Sequence, residues 1–225
     1  MATEALTGLD TLLRPSSVAV IGASEDRFTY SGAPVGNLLA TGWGGRIYPI
    51  SISRETVQGL PAYKSVLDVP DSVDTAIVAV PTGAVLGVLR ECVEKGIRTA
   101  TVVSSGFGEE AAGPAGVERA EALSAFIAET GLRILGPNTA GLSNLLDGYV
   151  PRAASNGFDA DRVRPGGIAL VTQSGAMGNT VFNRAQAHGV GIGISVATGG
   201  QMDVDVWELA TLALEDERIR VAALI

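Results

Sequence analysis

The chain has 225 residues, of which 46% are hydrophobic and 18% are charged, and its formal net charge is −8. This length and hydrophobic content are sufficient for one large or two small domains with a substantial core. The acidic balance excludes nucleic acid as a partner, because binding to a phosphate backbone needs a basic surface. No apolar stretch reaches the ~20 residues needed to span a bilayer, so we expect no membrane partner.

The chain contains one cysteine, Cys92, which cannot form an internal disulfide. Its first ten residues lack the basic and apolar regions of a secretory signal. We therefore expect a cytoplasmic protein in which Cys92 is a small buried hydrophobe.

Apolar β-branched runs alternate with helical patterns through the first half of the chain. The predicted strands are Val18–Gly22, Arg46–Ile50, Thr75–Val80, Thr99–Ser104 and Arg133–Leu135. The predicted helices are Ala33–Ala40, Ala84–Lys95 and Pro114–Thr130. This alternation predicts parallel βαβ units, that is, a doubly wound α/β domain over residues 1–147.

Residues 148–165 combine glycine, proline and asparagine without a helix or strand period, which predicts a linker. A second α/β unit then covers residues 166–225. Its predicted elements are strand Ile168–Thr172, helix Ala176–Ala187, strand Gly191–Val196, helix Val204–Leu214 and strand Ile219–Ile225. Because no helix follows to cover the last strand, we expect the chain to be a fragment of a longer polypeptide.

Two strands run into glycine turns that precede helices: SVAVIGAS at residues 17–24 and GGIALVTQSGAMG at residues 166–178. Such turns expose backbone N–H groups and a helix N-terminus to an anion. The first turn fits neither the GxGxxG nor the GxxxxGK[ST] pattern, which disfavours a nicotinamide cofactor. Gly22 alone is compatible with a simple strand-end turn. Ser24, Arg27, Ser31 and Gly32 together favour a phosphate-binding loop.

Other strand ends bring small and polar residues to the same edge of a parallel sheet. They are Val80–Pro81, Ser104–Phe107 and Gly136–Asn138. Strand termination by itself explains either proline. Together the three segments predict a slot for a nucleotide with a flexible tail.

The ordered motifs SVAVIGAS, RIYPI, VDTAIVAVP, VVSSGFGE, RILGPNTAG, GGIALVTQSGAMG and TGGQMDVD resemble a known family. The chain is similar, from about Leu13 onward, to the coenzyme A (CoA) binding part of the NDP-forming acyl-CoA synthetases, relatives of the succinyl-CoA synthetase alpha subunit. The resemblance implies a Rossmann-like CoA-binding domain followed by an incomplete flavodoxin-like ligase domain.

The resemblance also assigns roles to residues. The implied CoA-binding set, with the neighbouring polar and cationic residues, is Gly22, Ala23, Ser24, Arg27, Ser31, Gly32, Arg54, Val80, Pro81, Ser105, Gly106, Phe107 and Asn138. Arg54 would replace a lysine that relatives use against a CoA phosphate. The implied phosphate-holding turn consists of Gln173, Ser174, Gly175 and Ala176. No metal ligands are expected in this chain.

The family reaction converts acyl-CoA, phosphate and a nucleoside diphosphate to acid, CoA and nucleoside triphosphate through an acyl phosphate and a phosphohistidine. The implied partners are the remaining ligase domains, in cis or as a beta-type subunit. A nucleotide-grasp domain there would hold the nucleotide and Mg²⁺, and the phosphohistidine would also lie outside this chain. His188 is expected instead to end a helix.

Asp203 and Asp205 have two interpretations. As acidic residues before a predicted helix they satisfy free N–H groups, whereas the resemblance places one of them near the phosphoryl-transfer centre. Two alternatives to the ligase hypothesis stay open here. One is a CoA-sensing regulatory domain of a fused protein acyltransferase, and the other is a nicotinamide-dependent redox enzyme.

Overall fold

The computed structural model describes residues 8–154 and 163–225, which form two sheets flanked by helices. The helices are α1 Asp10–Leu13, α2 Ala33–Ala40, α3 Val85–Glu94, α4 Gly113–Thr130, α5 Gly175–Ala187 and α6 Val206–Leu214. The strands are β1 Ser17–Ile21, β2 Arg46–Ile50, β3 Thr56–Val57, β4 Leu60–Pro61, β5 Thr75–Val78, β6 Thr99–Val102, β7 Arg133–Leu135, β8 Leu142–Asn144, β9 Ile168–Thr172, β10 Ile194–Ala197 and β11 Val221–Leu224.

The first sheet has the strand order β2-β1-β5-β6-β7 and is parallel throughout. The chain passes from β1 to β2 on one side of β1 and from β5 to β6 on the other side of β5. The strand order therefore reverses between β1 and β5, and a crevice is expected beyond the carboxyl ends of these two strands. The predicted Rossmann-like doubly wound domain is confirmed.

The second sheet has the order β11-β9-β10-β8. Strands β9, β10 and β11 are parallel, with β9 in the middle, as in the first strands of a flavodoxin-like fold. Helix α5 follows β9 directly, so its N-terminus lies at the carboxyl end of the central strand. The predicted flavodoxin-like second unit is confirmed.

The edge strand β8 is antiparallel and pairs Ser143 with Ser195 of β10. It precedes the predicted linker, so the second sheet includes one strand from the N-terminal side of that linker. The domain limits 1–147, 148–165 and 166–225 stay a prediction. Residues 155–162 of the linker lie outside the described residues.

Two large apolar clusters stabilise this arrangement. The first packs α3 and α4 against the first sheet and includes Leu89, Leu123 and the fully buried Cys92. The second is continuous between the sheets, since Ile77 of β5 and Val171 of β9 belong to it. The prediction that Cys92 is a buried hydrophobe is confirmed. Among residues 8–154 and 163–225, no helix is both long and apolar enough to cross a membrane.

Two differences from the predicted elements bear on the site. Strands β5 and β6 end two residues earlier than predicted, at Val78 and Val102, because the following residues leave the ladder and line a cleft. The hairpin β3–β4 was not predicted, since its strands have only two residues each. Its turn, Gln58–Gly59, has positive φ angles of 51° and 83°, as a tight hairpin requires.

Candidate functional site

A cleft of about 1320 Å³ lies where the carboxyl ends of the strands of both sheets meet. The predicted site residues that line it are Ser31, Val80, Pro81, Ser105, Phe107, Asn138, Gln173, Ser174, Gly175 and Ala176. Ser104, from a strand-end segment that was predicted to form the slot, also lines the cleft. Further polar or small lining residues that were not predicted include Thr29, Tyr30, Thr82, Glu109, Thr139, Ala140, Asn179, Gly199 and Gly200. The two predicted turns therefore contribute to one site rather than to two separate ones.

The first turn begins with a close approach of two strand ends. A Cβ on Gly22, whose φ is 87°, would lie 2.4 Å from the carbonyl oxygen of Ala79, so only glycine fits. The N–H groups of Gly22 and Ala23 both donate to the carbonyl oxygen of Ile50 at 3.0 Å. These two amides extend the pairing of β1 with β2. The expectation that the amides of this turn face a phosphate is therefore wrong for Gly22 and Ala23.

Three hydroxyl groups face one another farther along this turn. Ser24 Oγ lies 3.0 Å from Thr29 Oγ1 and 3.1 Å from Ser31 Oγ, and Thr29 and Ser31 are 3.4 Å apart. Thr29 and Ser31 line the cleft, whereas Ser24 lies behind them. Thr29 Oγ1 donates to the carbonyl oxygen of Asp26 at 2.7 Å. The hydrogen of the Ser31 hydroxyl can rotate, so Ser31 can donate to an anion in the cleft.

The shape of this turn depends on the unpredicted hairpin. Gln58 Nε2 donates to the carbonyl oxygens of Ser24, at 3.0 Å, and Gly32, at 2.8 Å. A Cβ on Gly32 would lie 2.1 Å from the carbonyl oxygen of Asp26, which explains the glycine there. Gly32 is thus a structural residue of the loop and is not among the lining residues.

The two predicted cationic residues lie away from the cleft wall. Arg27 is exposed, and its guanidinium carbon lies 5.6 Å from the centroid of the Phe28 ring. Arg54 is exposed on the loop after β2. Lys64 Nζ donates to the carbonyl oxygens of Ile52 and Arg54 at 3.2 and 3.3 Å, so a second cation lies against this loop.

The ends of β5 and β6 are joined by side-chain hydrogen bonds. Ser104 Oγ donates to the carbonyl oxygen of Val80 at 2.5 Å, and Thr82 Oγ1 donates to that of Ser105 at 2.7 Å. These bonds fix the two adjacent strand ends to each other, and their polar groups form one wall of the cleft. Ser105 is exposed there.

Gly106 lies just behind this wall in the left-handed region, with φ 98°. Its N–H donates to Glu109 Oε2 at 2.9 Å, and its carbonyl oxygen accepts from Arg119 Nε at 2.8 Å. Glu109 Oε1 is buried without a hydrogen-bond partner. Of the described residues that line the cleft, Glu109 is the only one with a charged side chain.

The third strand-end segment packs against the second sheet. Asn138 has φ 58°, and its N–H donates to the carbonyl oxygen of Ser104 at 3.0 Å. The N–H of Gly200 donates to the carbonyl oxygen of Pro137 at 2.7 Å. A Cβ on Gly199 would lie 2.5 Å from the carbonyl oxygens of both Pro137 and Asn138. The glycines of the TGG motif therefore allow the backbones of the two units to come into close contact.

The second turn places a helix N-terminus in the cleft. Ser174 is the N-cap of α5, and its Oγ accepts from the N–H of Met177 at 3.3 Å. Gln173 Nε2 donates to the carbonyl oxygen of Gly199 at 2.7 Å, which fixes the turn to the segment that follows the adjacent strand β10. The positive end of the α5 dipole and its first N–H groups therefore face the cleft, a geometry that stabilises an oxyanion.

Asp203 and Asp205 do not line the cleft. Asp203 Oδ2 accepts from the backbone N–H of Ile134 at 2.7 Å and from Arg133 Nε at 3.1 Å. Asp205 is the N-cap of α6 and forms a capping box with Glu208. Both carboxylates therefore already have structural partners. His188 ends α5 as its C-cap, as expected.

Arg133 is held between two carboxylates. Burial alone would lower its pKa, but hydrogen bonds to Glu208 and Asp203 outweigh this effect and raise it. The ion cluster joins β7 of the first sheet to α6 of the second unit. Across the described parts of the chain, no group of three or more histidine, cysteine or acidic residues could hold a metal ion.

Two family models each match one part of the chain, and together they cover most of it. One, described as a CoA binding domain, matches residues 16–144, and the other, described as a succinyl-CoA ligase like flavodoxin domain, matches residues 165–225. The chain belongs to this CoA-binding, succinyl-CoA ligase-like family. The resemblance deduced from the ordered motifs is thereby confirmed.

Curated relatives of the chain are ligases. It is 36% identical over 216 residues to the acetate–CoA ligase [ADP-forming] I subunit alpha of Pyrococcus furiosus, covering 94% of this chain and 45% of that protein. It is also 36% identical over 212 residues to the acetate–CoA ligase [ADP-forming] II of Archaeoglobus fulgidus, covering 93% of this chain and 31% of the relative. The chain thus spans less than half the length of these relatives.

A solved structure supports the same family assignment. The dinucleotide forming acetyl-coenzyme A synthetase 1 of Ca. Korarchaeum cryptofilum, in complex with phosphate and ADP, superposes with a TM-score of 0.86 at 33% identity. The match covers 96% of this chain and 45% of that one. These comparisons do not favour the regulatory-sensor alternative.

Proposed function

We propose that this chain is the CoA-binding portion of an ADP-forming acid–CoA ligase. The cleft between the strand ends of the two sheets is the observation on which the proposal rests. Its volume of about 1320 Å³ exceeds the ~300–1,000 Å³ typical of pockets for drug-sized ligands, so it can accept an elongated molecule. Small and hydroxyl-bearing side chains dominate its wall, which suits CoA.

The proposed orientation of CoA follows from the two ends of the cleft. Thr29 and Ser31, with Ser24 behind them, would contact the phosphorylated end. The wall formed by Val80–Pro81, Ser105 and Asn138 would accept the pantetheine arm. The thioester would then lie near the N-terminus of α5.

The α5 N-terminus would hold the phosphate that attacks the thioester carbonyl. In that step a phosphate oxygen bonds to the carbonyl carbon, the C–S bond breaks, and CoA leaves as the thiolate while an acyl phosphate forms. The helix dipole and the N–H groups after Ser174 would stabilise the negative charge on the phosphate. Asp203 and Asp205 have no part in this proposal, because both serve other contacts.

The remaining chemistry is proposed to lie outside this chain. A phosphohistidine, a nucleoside diphosphate and Mg²⁺ would be provided by further ligase domains, in cis or on a beta-type subunit. The relatives named as alpha subunits support a division of this kind. A cytoplasmic location stays a prediction.

Calorimetric titration with CoA tests the proposal. Ser105→Trp places an indole at an exposed position on the cleft wall, so we expect it to abolish CoA binding without destabilising the fold. Ser124→Trp, at an exposed position on α4, is the matched control and should bind CoA like the parent chain. Equal CoA binding by both variants would contradict the proposed site.

A further inference from the structure

Arg152 lies in the segment that forms one wall of the cleft. The next two residues in the chain, Ala153 and Ala154, line the cleft. Its carbonyl oxygen accepts from Asn37 Nδ2 at 2.9 Å, and the N–H of Ala153 donates to the carbonyl oxygen of Ala140 at 3.0 Å. The backbone at Arg152 is therefore fixed on both sides.

The guanidinium of Arg152 has an apolar neighbour and, among the residues that the structure describes, no anionic one. Its central carbon lies 5.9 Å from the centroid of the Phe182 ring, and Phe182 is itself buried in α5. Within residues 8–154 and 163–225, no carboxylate forms a salt bridge with Arg152. Burial lowers the pKa of Arg152 to about 10.

Two other arginines of the fold, by contrast, form salt bridges with carboxylates. Arg133 contacts Asp203 and Glu208, and Arg218 contacts Asp147 and Asp216, at 2.7 to 3.1 Å. Arg152 is partly buried, and a guanidinium that loses water contacts without gaining an anion is costly, because desolvation of the charge is not compensated. An anion bound near Arg152 would compensate this desolvation cost.

Helix α5 connects this guanidinium to the cleft. Phe182 follows Asn179, a lining residue, by about one turn, and it follows the N-cap Ser174 by eight positions. At 1.5 Å per residue the ring lies ~12 Å along the axis from the helix N-terminus. The guanidinium lies 5.9 Å from that ring, so its distance from the helix N-terminus is on the order of 10 Å. At that separation and an effective dielectric constant of ~20, a unit positive charge strengthens binding of a unit anion on the order of tenfold.

Glu109, the only charged side chain among the described residues that line the cleft, would repel an anion. We propose that Arg152 is a positioning residue that attracts an oxyanion, a phosphate or a carboxylate, to the α5 end of the cleft. The inference rests on the proposed function only in assuming that an oxyanion binds at this end.

Titration with inorganic phosphate tests the proposal on the 225-residue chain. Arg152→Met should weaken phosphate binding about tenfold, as the Coulomb estimate gives. Arg152→Lys keeps the charge and should stay within about threefold of the parent chain. Arg90→Gln removes an exposed arginine of α3 and is the control, with unchanged phosphate binding expected.

A parallel titration with acetate identifies the source of the oxyanion. If only acetate binding weakens in Arg152→Met, the partner is the carboxylate of the acid; if phosphate binding weakens, the partner is phosphate. Unchanged binding of both anions, or no measurable binding of either by the parent chain, would overturn the proposal.

Thermal unfolding without ligand separates this role from a structural one. Arg152 is partly buried and has no carboxylate partner within residues 8–154 and 163–225, so the Tm of Arg152→Met should be equal to or above that of the parent chain. A lower Tm with unchanged phosphate binding would show a structural role and refute the inference. CoA binding should be retained by Arg152→Met, so a failure of this inference can be distinguished from a failure of the proposed function.

Discussion

Replacement of Asp203 by alanine should destabilise the fold without affecting the ligand site. The Asp203 side chain is only 15% exposed, and it accepts from the Ile134 N–H at 2.7 Å and from Arg133 Nε at 3.1 Å. Hydrogen bonds that involve a charged group contribute about 1.5–3 kcal/mol each. Because Arg133 keeps its contact with Glu208 at 2.8 Å, we expect a total loss of about 2–4 kcal/mol.

Urea unfolding measures this loss as a shift in midpoint at constant m-value. Glu217→Gln, which removes an exposed carboxylate beyond the C-terminal end of α6, is the control and should shift the free energy of unfolding by less than about 0.5 kcal/mol. Asp203→Ala should bind phosphate like the parent chain. A loss of stability below about 0.5 kcal/mol together with a loss of phosphate binding would refute the structural role of Asp203.

Three further predictions concern individual side chains. Cys92 is fully buried, and burial raises its pKa to about 12, so a thiol reagent at pH 8 should label it only after urea unfolds the chain. Arg218 holds the pKa of Asp216 well below its ordinary value of 3.8, so this pair stabilises the fold above that value and loses its effect as the pH falls through the lower, folded-state pKa. The stability gap between the parent chain and Arg218→Met should therefore be wider at pH 7 than at pH 2 in urea unfolding; an equal gap would contradict the pairing. Ser174→Ala should cost about 1 kcal/mol through loss of the α5 cap, whereas Ser174→Asn should restore most of it in the same assay.

The larger features of the fold could be predicted because their signals are periodic. Buried parallel strands such as β1 and β9 are continuous apolar runs, and helix α4 has a proline in its first turn and a glycine at its end. The hairpin β3–β4 has no such signal, since two residues cannot show alternation. The position of β8 in the second sheet was also not predictable, because pairing with β10 depends on tertiary packing.

Site residues that follow a strand end were predictable from the sequence. Site residues whose position depends on contacts between distant segments were less so. Ser105, Asn138 and Ser174 line the cleft because each lies directly beyond a strand of a parallel sheet. Thr29 and Tyr30 belong to a loop whose shape depends on Gln58, a contact between distant parts of the sequence. The single cleft formed by both turns likewise depends on how the two sheets pack.

Chemical-shift mapping of the ¹⁵N-labelled chain during titration with CoA tests the central claim most directly. We predict that the largest amide shifts fall on both walls of the cleft, at Ser31, Ser105, Asn138 and Gly175, with small shifts at exposed α4 residues such as Ser124. Binding of CoA with the largest shifts outside the cleft, or no shifts at millimolar CoA, would contradict the account.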